Sequence, residues 1–80
     1  MKNVKIYFKR GCSYCSRVID FFERNGVEYE GVDVGANAKQ YDELKKTTGH
    51  QTVPQIFVDN EFIGGSDDFF HFLEHDYQPD

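Results

Sequence analysis

The hydrophobic and polar positions of this 80-residue chain follow two periods, and together they predict seven secondary-structure elements. Four short apolar runs, bounded mostly by turn residues, are typical of strands: Val4–Phe8, Val27–Val34, Gln55–Val58 and Glu61–Ile63. Three segments carry apolar residues mainly at helical spacing: Ser13–Asn25, a segment from the cap residue Asn37 to Thr48, and one from Ser66 to Tyr77.

The predicted order, β-α-β-α-β-β-α, defines one α/β domain that covers residues 1–80. The first strand–helix–strand unit requires a right-handed crossover, which makes its two strands parallel. Asp59 and Asn60 form a tight turn between the last two strands, so a β-hairpin adds an antiparallel edge. We therefore expect a four-stranded mixed sheet flanked by three helices.

Composition supports a folded domain with an unusual use of cysteine. Eight Phe and five Tyr supply large apolar groups for a core, which argues against disorder although 29% of the residues are charged. The only cysteines are Cys12 and Cys15. Two thiols three positions apart close a loop too short to brace a fold, so a structural disulfide is excluded as their purpose.

Charge is distributed unevenly along the chain. All nine Lys and Arg lie within residues 1–46 together with seven acids, whereas residues 47–80 hold the other seven acids and no Lys or Arg. No dense basic stripe is present, so we expect no nucleic-acid partner. No apolar run approaches the length of a membrane helix, and the N-terminus lacks the uncharged stretch of a signal peptide. These features predict a cytoplasmic protein that does not associate with membranes.

The cysteine pair lies where the first strand passes into the first helix. A thiol at a helix N-terminus faces unsatisfied N–H groups and the positive end of the helix dipole, and both favour the thiolate. Lys9, three residues upstream, adds a positive charge. Cys12 is therefore the predicted nucleophile. Cys15 lies one turn later on the same face, where it can resolve a mixed disulfide formed at Cys12.

Two other interpretations of the pair are open at this point. The cysteines can be small buried hydrophobes, or they can ligate zinc together with His71 and His75. However, 55 residues separate Cys15 from His71, whereas finger-type sites use about 12–15.

Two further segments each allow a structural and a functional interpretation. Thr52-Val53-Pro54 can be a strand opened by a proline. Gly65-Ser66-Asp67 can be an ordinary helix start, with Ser66 or Asp67 as the N-cap. The same glycine and helix start can also let a ligand approach the backbone and bind its carboxylate, with Asp67 holding an ammonium group.

Taken together, three motifs in this order resemble those of glutaredoxins of the short bacterial type, over essentially the whole chain. They are Lys9 with Cys12-Ser13-Tyr14-Cys15, then Thr52-Val53-Pro54, then Gly64-Gly65-Ser66-Asp67-Asp68. The resemblance implies a thioredoxin-like fold and glutathione-dependent thiol–disulfide exchange, in a role in cellular redox homeostasis and electron transport. It implies Cys12 and Cys15 as the catalytic thiols and the following glutathione-binding residues: Lys9, Tyr14, Thr52, Val53, Pro54, Gly65, Ser66 and Asp67.

The resemblance also implies the partners and the mechanism. The substrates are glutathione and proteins that carry a disulfide or a bound glutathione. Pro54 corresponds to the family's cis-proline, which leaves the Val53 backbone free to pair with glutathione. We expect a monomer with no resident metal and no required cofactor.

The sequence departs from the family in two respects. Ser13 replaces the commonest proline, as in relatives that hold a [2Fe–2S] cluster between two subunits through the first cysteine and glutathione. The alternative function is therefore a cluster-carrying dimer with Cys12 as the ligand. Tyr41 and Gln51 stand where basic or amide side chains often bind the glycyl carboxylate, which leaves Lys9 as the main cation.

Overall fold

The computed structural model describes residues 1–75, and within them it confirms the predicted order of strands and helices. The strands are β1 Val4–Phe8, β2 Tyr29–Asp33, β3 Gln55–Val58 and β4 Glu61–Gly64. The helices are α1 Ser13–Arg24, α2 Ala38–Thr48 and α3 Ser66–His75. The second strand starts two residues later than predicted, and Tyr77 lies outside the described residues.

The four strands form one mixed sheet in the order β2-β1-β3-β4. β1 pairs with β2 in parallel, as the crossover requires, and with β3 antiparallel. β3 and β4 form the predicted hairpin, and its turn residues Asp59 and Asn60 both have positive φ, at 52° and 67°. Two positive φ angles match the right-handed twist of paired strands, which explains why Asp and Asn occupy this turn.

Helices cover both faces of the sheet. On one face, α1 and α3 pack against the strands through Val18, Phe22 and Phe69, which surround the fully buried Ile6 and Ile56. The rings of Phe22 and Phe69 meet edge to face, with centroids 5.4 Å apart. On the other face, Leu44 of α2 packs with two residues of a smaller cluster: Tyr7 and Val34. Strand alternation separates the two cores, because Ile6 and its neighbour Tyr7 point to opposite faces. None of the described helices has the length and apolar character needed to span a membrane.

The strand directions bring the three sequence motifs to one edge of the sheet. Cys12 follows the end of β1, and Pro54 directly precedes β3, which runs antiparallel to β1 with Tyr7 opposite Gln55. β4 runs antiparallel to β3, so its last residue, Gly64, returns to the same edge opposite Ile56. The functional groups are therefore gathered by strand pairing and not by closeness in sequence.

Candidate active site at the edge of the sheet

Cys12 is the N-cap residue of α1. Its backbone is extended, with φ −87° and ψ 112°, and its Sγ atom accepts a hydrogen bond from the Cys15 backbone N–H at 3.2 Å. The Cys12 thiol is half-buried and also faces the carbonyl oxygen of Val53, 3.9 Å away. The sulfur thus occupies the position that a capping oxygen takes in other helices, where an anion is stabilised by the free N–H groups.

Cys15 has a contrasting environment one helical turn further on. Its side chain is only 1% exposed, and neither cysteine is in a disulfide. Burial, reinforced by the hydrogen bond with Cys12, raises the pKa of the Cys15 thiol to about 12. Cys15 therefore stays protonated at neutral pH while Cys12 is reachable from solvent.

The three basic residues nearest the thiols in the sequence, Lys9, Arg10 and Arg17, differ in whether their charged groups already have a partner. The Arg10 guanidinium lies 3.5 Å from the Asp33 carboxylate, and the Arg17 guanidinium lies over the Phe70 ring. Lys9 is exposed, its carbonyl oxygen accepts the Cys12 N–H at 3.3 Å, and its ammonium has no ion-pair partner among residues 1–75. Lys9 is thus the nearby cation that remains available to a ligand.

The segment before β3 contains a cis peptide bond between Val53 and Pro54. Pro54 is buried, Thr52 is exposed, and the Val53 backbone borders Cys12. Pro54 does stand directly before a strand, as the structural interpretation of this segment predicted. That interpretation does not account for the Val53 carbonyl, which faces the Cys12 sulfur. Tyr14, two residues after Cys12, is 55% exposed.

The start of α3 has an unexpected cap. The Gly65 carbonyl oxygen accepts the first helical hydrogen bond, from the Phe69 N–H at 2.9 Å, so Gly65 is the N-cap. Asp68 reaches back and accepts the Gly65 N–H at 3.1 Å, which is one half of a capping box. Neither Ser66 nor Asp67 acts as the cap. Ser66 is buried, and Asp67 is exposed at the edge of the site.

No individual role was predicted from the sequence for three residues of this region: His50, Gln55 and Asp68. The His50 ring lies beside Thr52, with Nε2 3.4 Å from Thr52 Oγ1, and it also borders Gly65. Gln55 is fully buried and hydrogen-bonded to the same loop. For Gln55, the signal in the sequence was a polar residue at the start of an otherwise apolar strand. For Asp68, it was an acid three residues after the N-cap Gly65.

The two alternative interpretations of the cysteines are not supported. His71 and His75 lie next to each other on α3, with ring centroids 4.3 Å apart. Within residues 1–75, however, no group of three or more His, Cys, Asp or Glu side chains is placed to hold a metal ion, so the four proposed zinc ligands do not converge. A buried structural pair describes Cys15 but not Cys12, which is accessible.

A Cys-x-x-Cys pair at a helix start, beside a cis-proline on a four-stranded mixed sheet, defines a thiol–disulfide oxidoreductase of the thioredoxin-like fold. The glutaredoxin family model matches residues 4–63, and the chain belongs to the glutaredoxin family. It is 41% identical over 70 residues to glutaredoxin 3 of Escherichia coli K12, which covers 88% of this chain and 84% of that protein. It is also 44% identical over 68 residues to mouse mitochondrial glutaredoxin-2, covering 81% of this chain and 44% of that protein.

Solved structures agree with this assignment. The buckwheat glutaredoxin–glutathione complex superposes with a TM-score of 0.83 at 28% identity, covering 89% of this chain and 67% of that one. The holo form of glutaredoxin C1 from Populus tremula x tremuloides has the same TM-score and identity, with coverage of 91% and 75%. The thioredoxin-like fold predicted from the sequence is thereby confirmed.

Proposed function

We propose that this protein uses glutathione to reduce protein–glutathione mixed disulfides and protein disulfides. The observation that carries the proposal is the position of the Cys12 sulfur, which is half-exposed at a helix N-terminus and 3.9 Å from the Val53 carbonyl oxygen. A substrate disulfide that reaches this sulfur lies along the 52–54 segment, where the Val53 backbone can pair with the peptide of bound glutathione. In this proposal the enzyme is a monomer that needs no cofactor beyond its substrate.

The proposed reaction with a mixed disulfide proceeds in two exchanges. The Cys12 thiolate attacks the glutathione sulfur, a new S–S bond forms, and the protein thiolate leaves and takes up a proton. A second glutathione thiolate then attacks the same glutathione sulfur and releases Cys12 together with oxidised glutathione. For a disulfide within one protein, the Cys15 thiol loses its proton as it displaces the substrate from Cys12, and glutathione later reduces the Cys12–Cys15 bond.

The ends of glutathione have suitable partners at the same edge of the sheet. The start of α3 offers N–H groups of Ser66 and Asp67 to a carboxylate, because Asp68 occupies only the N–H of Gly65. The exposed Asp67 carboxylate can hold the neighbouring ammonium group. Lys9, which is exposed close to Cys12 in the sequence, is the cation for the other carboxylate.

The test compares wild type with Cys12→Ser and Cys15→Ser on a glutathionylated peptide and on a protein with one internal disulfide. We expect Cys12→Ser to lose both activities and Cys15→Ser to lose only the second. Replacing glutathione by free cysteine at equal concentration is expected to lower the rate. Full activity of Cys12→Ser contradicts the assignment of the nucleophile, and equal rates with free cysteine contradict glutathione specificity.

A second candidate function is a [2Fe–2S] carrier, and the accessible Cys12 next to Ser13 favours it. Because Cys15 is buried, one chain offers one accessible thiolate, so a cluster would take Cys12 from two copies and the thiols of two glutathione molecules. Anaerobic reconstitution with glutathione is the test. A brown dimer that contains iron, sulfide and glutathione supports this function, whereas a colourless monomer contradicts it.

A further inference from the structure

Gln55 is the most deeply buried polar side chain among the described residues. It starts β3 directly after the cis-proline and is fully inaccessible, like its apolar neighbour Ile56. Moving an amide from water into an apolar interior without hydrogen-bond partners costs several kcal/mol of free energy. The partners of the Gln55 amide therefore show which part of the structure this residue supports.

These bonds lead to the last residue of α2 and to the segment that joins α2 to the cis-proline. Gln55 Nε2 donates to the carbonyl oxygen of His50 at 2.6 Å and to that of Thr52 at 3.2 Å. Gln55 Oε1 accepts from the hydroxyl of Thr48, the last residue of α2, at 2.9 Å, and this hydroxyl shares its one proton with the Leu44 carbonyl oxygen at 3.1 Å. The same hydroxyl oxygen accepts the His50 N–H at 3.1 Å. Gln55 therefore bridges the end of the helix and the loop.

A third side chain completes the arrangement. The Tyr41 hydroxyl donates to the carbonyl oxygen of Gln51 at 3.2 Å. Three consecutive carbonyl groups, at residues 50, 51 and 52, are thus bound by side chains from α2 and β3. The next carbonyl, that of Val53, is the one that faces the Cys12 sulfur. Bonds to the preceding peptides fix the direction in which this carbonyl and the adjoining N–H point.

We propose that Gln55, anchored by Thr48, is a positioning residue for substrate recognition. It holds the Val53 peptide in the orientation that pairs with glutathione and has no direct contact with the substrate. This inference rests on the proposed function, because the orientation of Val53 matters for activity only when that peptide binds a ligand.

Positioning and simple fold maintenance have different kinetic consequences. A variant that is merely less stable has fewer folded molecules, so kcat falls while KM stays the same. A variant that misplaces Val53 binds the glutathione part of the substrate less well in both ground and transition states, so KM rises while kcat is kept.

The experiment measures KM and kcat for a glutathionylated peptide with Gln55→Met, which keeps the length of the side chain and removes both N–H donors. Thr48→Val, which removes the anchor of the amide, is the second variant. Ile56→Val is the matched control, since it alters a fully buried residue of the same strand that makes none of these bonds. We expect KM to rise about five- to tenfold in both variants, with kcat within twofold, and to stay unchanged in the control.

The rate of Cys12 alkylation by iodoacetamide is measured in parallel and is expected to be equal in all four proteins. Unchanged KM in both Gln55→Met and Thr48→Val, or a fall in kcat alone, overturns the inference while leaving the proposed function intact. If wild type does not reduce the glutathionylated peptide, the proposed function itself fails. If Ile56→Val raises KM to the same extent, the effect is not specific to these hydrogen bonds and the inference is wrong.

Discussion

The backbone N–H of Cys15 donates to the sulfur of Cys12 at 3.2 Å, while the sulfur of Cys15 is itself buried. Cys15 thus donates a backbone hydrogen bond to the Cys12 sulfur, while its own thiol is shielded from solvent. The two thiols of the motif are chemically unequal before any substrate arrives, and four predictions follow from this and from the other features of the site.

Alkylation is expected to separate the two cysteines. Iodoacetamide reacts with thiolates, and with a pKa of about 12 the Cys15 thiol is almost entirely protonated at pH 8. We expect Cys15→Ser to be modified at Cys12 at least about tenfold faster than Cys12→Ser is modified at Cys15, because burial, the main cause of the raised Cys15 pKa, remains when Cys12 is removed. Mass spectrometry over time measures both rates, and urea-unfolded samples serve as the control. Comparable rates in the folded proteins would show that Cys15 is not protected.

Alkaline pH is expected to destabilise the protein through Cys15. Because its thiol pKa is raised in the folded state, the unfolded chain loses this proton first. The stabilisation is complete below the ordinary thiol pKa and is lost as pH rises from about 8.5 towards 12. The free energy of unfolding is expected to fall by up to about 1.4 kcal/mol per pH unit in this window. Urea titrations of wild type and Cys15→Ala measure it, and equal slopes for the two proteins contradict the prediction.

The neighbouring glycines Gly64 and Gly65 are expected to respond differently to alanine. Gly64 has φ +128°, and a Cβ there would overlap the side chain of Asp68. A Cβ at Gly65 would lie 3.4 Å from His50 Nε2, which is an ordinary contact. We therefore expect Gly64→Ala to cost about 1–3 kcal/mol of stability. Gly65→Ala is expected to cost less than about 1 kcal/mol and to raise KM for a glutathionylated peptide, because the added methyl limits approach to the backbone.

Thermal unfolding and steady-state kinetics of the two glycine variants provide the check. A Gly65→Ala protein as unstable as Gly64→Ala would show that this glycine serves the fold. Unchanged KM in a stable Gly65→Ala protein would show that no ligand approaches there.

Asp67 and Asp68 are expected to separate binding from stability. The Asp68 carboxylate accepts the Gly65 N–H at 3.1 Å, whereas Asp67 is exposed and has no hydrogen bond or ion pair in the described part of the chain. Asp68→Ala is expected to lower stability by about 0.5–2 kcal/mol. Asp67→Asn is expected to keep stability and to raise KM for glutathionylated substrates severalfold. Each variant is the control for the other, and the reverse pattern would contradict both assignments.

The order of strands and helices, and the position of Cys12 at a helix start, could be predicted because both depend on local signals. Apolar periodicity defined the strands, and the place of Cys12 at a strand-to-helix boundary defined its environment. The cis bond before Pro54 came only from the resemblance, since most X–Pro bonds are trans. The cap of α3 was assigned to Ser66 or Asp67, but Gly65 takes that position because Asp68 reaches back to its N–H.

Long-range pairing could not be predicted from local pattern. Arg10 stands two residues before Cys12 in the sequence, yet strand pairing brings the Asp33 carboxylate to it. Gln55 was assigned only as part of a strand, and its role depends on where the end of α2 lies relative to β3. Such contacts join residues that are far apart in the sequence and form only when the sheet is assembled, so a local sequence pattern does not predict them.

The burial of Cys15 also determines the regiochemistry of the oxidised enzyme. If Cys15 keeps its burial when the two thiols form a disulfide, a thiol that approaches from solvent reaches only the outer sulfur, because Cys15 is only 1% exposed. The incoming group therefore always becomes attached to Cys12, and Cys15 is always the leaving group. Attachment at the inner sulfur, which would leave the adduct inside the protein, is excluded by geometry. In the proposed route through the Cys12–Cys15 bond, each reduction therefore begins at Cys12.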